Sequence, residues 1–92
     1  MESKLEAKLK RKVEALGGKC YKWVSPGTRG IPDRLIIMPD GGIHFVETKW
    51  GKNGLSPQQK LIQKIFNSFG LKVHVIATED QLNNFINLLD LL

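Results

Sequence analysis

Pro32-Asp33-Arg34-Leu35-Ile36-Ile37-Met38, Pro39-Asp40-Gly41-Gly42 and Ile43-His44-Phe45-Val46-Glu47-Thr48-Lys49 follow one another through the middle of the chain. The outer segments are rich in β-branched and aromatic residues and the middle one is turn-forming, which predicts a β-hairpin. Side chains alternate along a strand, so Ile43, Phe45, Glu47 and Lys49 share one face while His44, Val46 and Thr48 share the other. Asp33 opens the first strand at the end far from the turn, where Glu47 and Lys49 also fall. Three charged groups therefore converge at the open end of a mostly apolar hairpin.

Carboxylates held close together repel, and a divalent cation is the usual means of keeping both ionised. Oxygen ligands favour Mg²⁺ or Mn²⁺ over zinc. A lysine beside such a pair suits a base or water-orienting role in attack on a phosphodiester, with the cation neutralising charge on the phosphoryl oxygens. The plainer reading is that Asp33 begins a strand after a proline and that Glu47 and Lys49 form a surface ion pair worth at most about 1 kcal/mol. Spacing and flanking residues together favour the metal site.

Composition sets the scale. Ninety-two residues are expected to make one domain, 1–92, burying only ~60–65% of the unfolded chain's surface. So small a core favours a homodimer, and a two-fold axis would also suit cutting of antiparallel strands. The net charge of +5 is unevenly spread, with nine of the fourteen Lys and Arg residues at or before Arg34. A polyanionic partner fits this better than a small neutral substrate, although Lys8, Lys10, Arg11 and Lys12 also serve simply to solvate a helix. Cys20 stands alone, without spacing for a disulfide or a zinc site, which points to a reducing, intracellular setting. No apolar run has the length of a signal peptide or membrane span, so no membrane association is expected.

Along the chain, Leu5, Leu9, Val13 and Leu16 predict a helix over residues 3–16, ended by Gly17-Gly18. Glu6 lies beside that stripe and Glu14 opposite it, so Glu6 is the acid best placed to look inward; Glu2 is a weaker rival at the terminus. Glu6 also has a plain alternative, an i,i+4 pair with Lys10. Lys19–Val24 reads as a strand, with Tyr21 and Trp23 more suited to core or dimer contacts than to base stacking. The loop Ser25-Pro26-Gly27-Thr28-Arg29-Gly30-Ile31-Pro32 is flexible and polar, and Ser25, Thr28 and Arg29 are candidates to approach a phosphate there. Arg34 points to the opposite strand face from Asp33, to support the site from behind or to meet the DNA backbone. Trp50–Leu55 forms a second glycine-bearing loop containing Lys52. Ser56-Pro57-Gln58-Gln59 is a capping box, and Leu61, Ile62, Ile65, Phe66 and Phe69 are expected to be the buried stripe of its helix, closed by Gly70. Leu71–Ala77 reads as a strand, and Thr78-Glu79-Asp80-Gln81 as a second capping box opening a helix with Leu82, Phe85, Ile86 and Leu89 inward. Leu88, Leu91 and Leu92 exceed what one face needs, and His44 and His74 read as structural. The fold class is α/β, order α-β-β-β-α-β-α, with a mixed four-stranded sheet whose last crossover favours a parallel pair.

Pro32-Asp33 followed by Glu47-Thr48-Lys49 resembles the signature of the PD-(D/E)xK nucleases. Tyr21-Lys22, Ser25-Pro26-Gly27, Gly30-Ile31-Pro32-Asp33-Arg34, Phe45 to Lys49 and Leu55-Ser56-x-x-Gln59 narrow the resemblance to the virus-type replication-repair nuclease (VRR-NUC) family, of a stand-alone, minimal kind. The resemblance implies a restriction-endonuclease-like core and a Mg²⁺- or Mn²⁺-dependent endodeoxyribonuclease. Asp33, Glu47, Lys49 and Gln59 would be catalytic, and Asp33, Glu47, the Thr48 carbonyl and Glu6, directly or through water, would hold the metal. The expected DNA contacts are Lys22, Ser25, Thr28, Arg29, Arg34 and Lys52. It further implies a homodimer acting on branched DNA, such as a Holliday junction, in phage replication, recombination or repair. A non-catalytic DNA-binding module on the same fold is the alternative.

Overall fold

A computed structural model describes residues 3–49 and 54–92. Glu2 and Lys52, both named above, lie outside them. Helix α1 (Lys4–Ala15) starts where the Ser3 hydroxyl accepts the Glu6 N–H at 2.9 Å. It ends as Gly17 takes a φ of 87°, a left-handed conformation that costs glycine little. Strands β1 (Lys19–Lys22), β2 (Arg34–Ile37) and β3 (Ile43–Thr48) follow, then α2 (Pro57–Ser68), β4 (Val73–Ile76) and α3 (Glu79–Asp90). The hairpin turn closes with the Met38 N–H donating to the Gly42 carbonyl and Asp40 Oδ1 accepting the Gly42 N–H.

The sheet runs β1-β2-β3-β4, antiparallel twice and then parallel, as the element order predicted. Register divides its side chains into two faces. Cys20, Ile36, Val46 and Ile76 meet Leu9 and Val13 of α1 and Leu82, Phe85 and Leu89 of α3 in one buried core. Tyr21, Leu35, Phe45 and Val73 line up across the other face, where α2 packs. There Phe45, Phe66 and Trp23 form an aromatic cluster, with the Phe45 and Phe66 rings edge to face at 5.1 Å. His44 and His74 flank Phe85 on the core face, which fits their structural reading. Burial, then the charges of Lys72 and His44, push the His74 pKa below the usual histidine value.

Three local expectations change. The stripe of α2 is much narrower than its hydrophobic pattern predicts: Ile62 is buried and Phe66 half-buried, whereas Leu61 is 58% exposed, Ile65 is exposed, and Phe69 is 74% exposed. Leu61 and Ile65 lean about 100° and 60° to one side of Ile62 on the helical wheel, and Phe69 is the C-cap, at the end of the helix. Start of α3 is also not a reciprocal capping box. Thr78 Oγ1 accepts the Gln81 N–H, but Gln81 Oε1 reaches one residue further back, to the Ala77 N–H at 2.7 Å. The last strand is shorter than the predicted run, with Leu71 and Lys72 exposed ahead of it.

Candidate active site

The open end of the hairpin is where β2 begins, β3 ends, and helices α1 and α2 present their first turns. Asp33 stands one step before β2, so the register pairing Arg34 with Val46 sets it across from Glu47. The Glu47 carboxylate sits on the α2 side of the sheet, where Gln59 meets it. Asp33 is fixed by the neighbouring strand: Oδ1 accepts the Thr48 N–H at 2.9 Å, and Oδ2 accepts the Thr48 hydroxyl. Glu47 is only 6% exposed. Burial above all, and then the Asp33 charge, push its pKa up to about 7, while Lys49 and a backbone hydrogen bond at Asp33 pull it down.

Gln59 ties Glu47 to α2. Its side-chain Oε1 accepts the Ser56 N–H at 2.8 Å while its Nε2 donates to Glu47 Oε1 at 2.8 Å. The Ser56 hydroxyl accepts the Gln59 N–H at 3.2 Å, completing the capping box. One side chain therefore both starts the helix and orients the acid. An amide can do both because it offers an acceptor and donors on opposite atoms.

Behind the sheet lies a second layer of polar contacts. Arg34, 5% exposed, donates from Nη2 to Glu6 Oε2 at 2.7 Å, and Glu6 Oε1 is 3.2 Å from the Thr48 hydroxyl. Glu6 thus reaches inward as expected, joined to Asp33 through Thr48 rather than to Lys10, and Arg34 supports the site from behind with its guanidinium buried. The Thr48 hydroxyl and the Ser3 cap were missed in the sequence. Alternation already put Thr48 and Arg34 on one face, and Ser3-x-x-Glu6 carries the spacing of a helix start.

Gly30 explains how the loop before Asp33 is held. It adopts φ 90°, and a Cβ there would lie 2.5 Å from the Gln58 carbonyl oxygen, so only glycine lets the loop rest on the first turn of α2. Pro32 is fully buried beyond it. Of the remaining residues expected to meet DNA, Lys22, Thr28 and Arg29 are exposed and Ser25 is half-buried, its carbonyl accepting the Thr28 N–H at 3.2 Å.

As to a metal, Asp33 and Glu47 supply two oxygen-donor groups of the hard type, and a cation there would offset both the burial and the Asp33 charge that raise the Glu47 pKa. Among the described residues, no three His, Cys, Asp or Glu side chains stand together as a ready-made cage. A two-carboxylate site completed by backbone and water is the arrangement these residues fit, and it is a common one for Mg²⁺.

A search of family models finds no match. A protein of Acyrthosiphon pisum secondary endosymbiont phage 1 named "Putative nuclease p44" is 39% identical over 79 residues, 86% of this chain and 85% of that one. A solved structure described as a VRR_NUC domain superposes with a TM-score of 0.83 at 33% identity, covering 90% of each chain. The chain belongs to the VRR-NUC family of nucleases. The likeness extends over the helices and the four-stranded sheet described above. Among the described residues no helix is long and apolar enough to cross a membrane.

Proposed function

We propose that this VRR-NUC protein is an endonuclease that hydrolyses DNA phosphodiester bonds with Mg²⁺ or Mn²⁺ held by Asp33, Glu47 and the Thr48 carbonyl. The reading is carried by one observation: Asp33, just before β2, stands across from Glu47 near the end of β3 and beside Lys49, with Glu47 buried and clamped by Gln59. When bound, the cation acidifies water and neutralises charge growing on the phosphoryl oxygens. Lys49 would donate a hydrogen bond to the attacking water and orient it. Gln59 holds Glu47 in one rotamer, and the Thr48 hydroxyl holds Asp33 in another. Glu6 acts through Thr48, with its charge balanced by Arg34. Lys22, Ser25, Thr28 and Arg29 form the DNA surface on the β1 side.

The protein works as a homodimer on branched DNA of the junction type. Exposed apolar side chains on the α2 side of the molecule, Tyr21, Ile43, Leu61 and Phe69 among them, support self-association. Incubation of labelled linear and branched DNAs with Mg²⁺, Mn²⁺ or EDTA tests the reading, with Asp33→Asn alongside. Metal-dependent cutting that the variant loses, while it still folds and binds, is the expected result. DNA binding without cutting in any metal would leave a binding module in place of the enzyme.

A further inference from the structure

We infer that the groove between α1 and the β4–α3 junction is a binding track for DNA backbone phosphates, leading away from the cleavage site along the outer side of α1. The ligand's identity rests on the nuclease reading above; the track itself rests on shape and charge. The groove has a volume of about 490 Å³ and is lined by Lys4, Lys8 and Arg11 of α1, Lys49 from the end of β3, and Thr78 and Glu79 at the start of α3. That volume lies within the roughly 300–1,000 Å³ of clefts that take drug-sized ligands.

Four cations in this lining face a single carboxylate. Glu79 is itself neutralised, since Lys8 Nζ donates to its Oε1, and the hydrogen bond and charge of Lys8 hold its pKa below the usual glutamate value. Among the described residues the lining keeps a positive excess with no second acid to offset it. Lys4, Lys8 and Arg11 fall at i, i+4 and i+7, on one stripe about 60° wide, and rise about 10 Å along the helix. One strand of a duplex advances about 3.4 Å per nucleotide, so the stripe matches roughly three successive phosphates.

Position separates this stripe from ordinary helix solvation. Lys49 is a wall of the groove and follows directly on Thr48, whose N–H is bonded to Asp33, so the track begins beside the carboxylate pair. Lys10, on the same helix and with the same charge, lies outside the groove, against Glu14 and Tyr21. It is therefore the internal control.

The test is equilibrium binding of the full chain to a labelled DNA duplex by fluorescence anisotropy in EDTA, at several salt concentrations. The Lys4→Ala/Arg11→Ala double variant is expected to bind at least about tenfold more weakly, with the salt slope reduced by about two, one for each phosphate contact removed. Lys10→Ala should stay within about twofold of the parent, with a matching slope. Glu79→Gln should bind more tightly, because it removes the acid from the wall. All these side chains except Lys8 are exposed or surface-lying, and circular dichroism verifies that each variant is folded. Equal losses in the double variant and in Lys10→Ala would overturn the track, as would absence of DNA binding by the parent chain. Cutting is read separately, in the metal-dependent assay above: a chain that binds along α1 but cuts nothing there would refute the nuclease reading and leave the track standing.

Discussion

The two faces of the sheet are built differently. On the α1/α3 face, Leu9, Val13, Ile36, Val46 and Leu82 are completely buried, and three elements interlock around them. On the α2 face, a single helix touches the sheet through Ile62 and an aromatic cluster, and Ile43, Leu61, Ile65 and Phe69 remain exposed. The carboxylate site straddles the boundary between them. Glu47 meets Gln59 of α2, while Asp33 is held by Thr48, which also meets Glu6 beside Arg34 on the α1 side. The two acids are positioned from opposite faces.

The contrast breaks most visibly in the core. Leu9→Ala is expected to cost about 2–5 kcal/mol in chemical denaturation, because it removes a fully buried side chain from a packed layer. Leu61→Ala should change the stability of dilute protein by less than about 0.5 kcal/mol and instead weaken self-association in sedimentation. Similar costs for the two would mean that the α2 face is closed after all.

Gly30→Ala comes next, at about 1–3 kcal/mol, since alanine disfavours φ 90° and its Cβ meets the Gln58 backbone. Its effect should reach the site, because the loop it anchors delivers Asp33. Gln59→Ala should cost about 1 kcal/mol through the lost cap, and it should also lower cleavage by freeing Glu47. Gln59→Glu would retain the acceptor for Ser56 while placing a third carboxylate at the site, so a variant that is folded but slow separates the two roles.

A pH dependence tests the carboxylate site itself. Glu47 is raised from 4.5 to about 7 in the folded chain, so folding favours its protonated form. Its contribution to stability is fully present below pH 4.5 and is lost as the pH rises towards about 7. Denaturation of metal-free protein across that window should show the decline, and Glu47→Gln should flatten it.

Much of this was legible in the sequence. The hairpin, the strand order and the convergence of Asp33, Glu47 and Lys49 follow from period-two alternation around a strong turn. Gln59 was identified from a capping pattern that happened to coincide with the site. What stayed hidden has physical reasons. Hydrophobic periodicity says that Leu61, Ile65 and Phe69 share the apolar side of α2, but not how wide a surface is there to cover them. The glycine at position 30 looked like loop composition, and only the approach of the Gln58 backbone reveals its steric role. The Thr48 hydroxyl bridges two acids across 42 and 15 residues of sequence, a separation that no local pattern encodes.

The most direct test of the central claim is a calorimetric titration of Mg²⁺ or Mn²⁺ into the protein at pH 6.5, repeated with Asp33→Asn and in two buffers of different ionisation enthalpy. Because Glu47 titrates at about 7, cation binding at that pH should release part of a proton, and both binding and release should disappear in the variant. Undetectable binding by the parent, or binding of equal strength without Asp33, would contradict a metal held by the facing carboxylates.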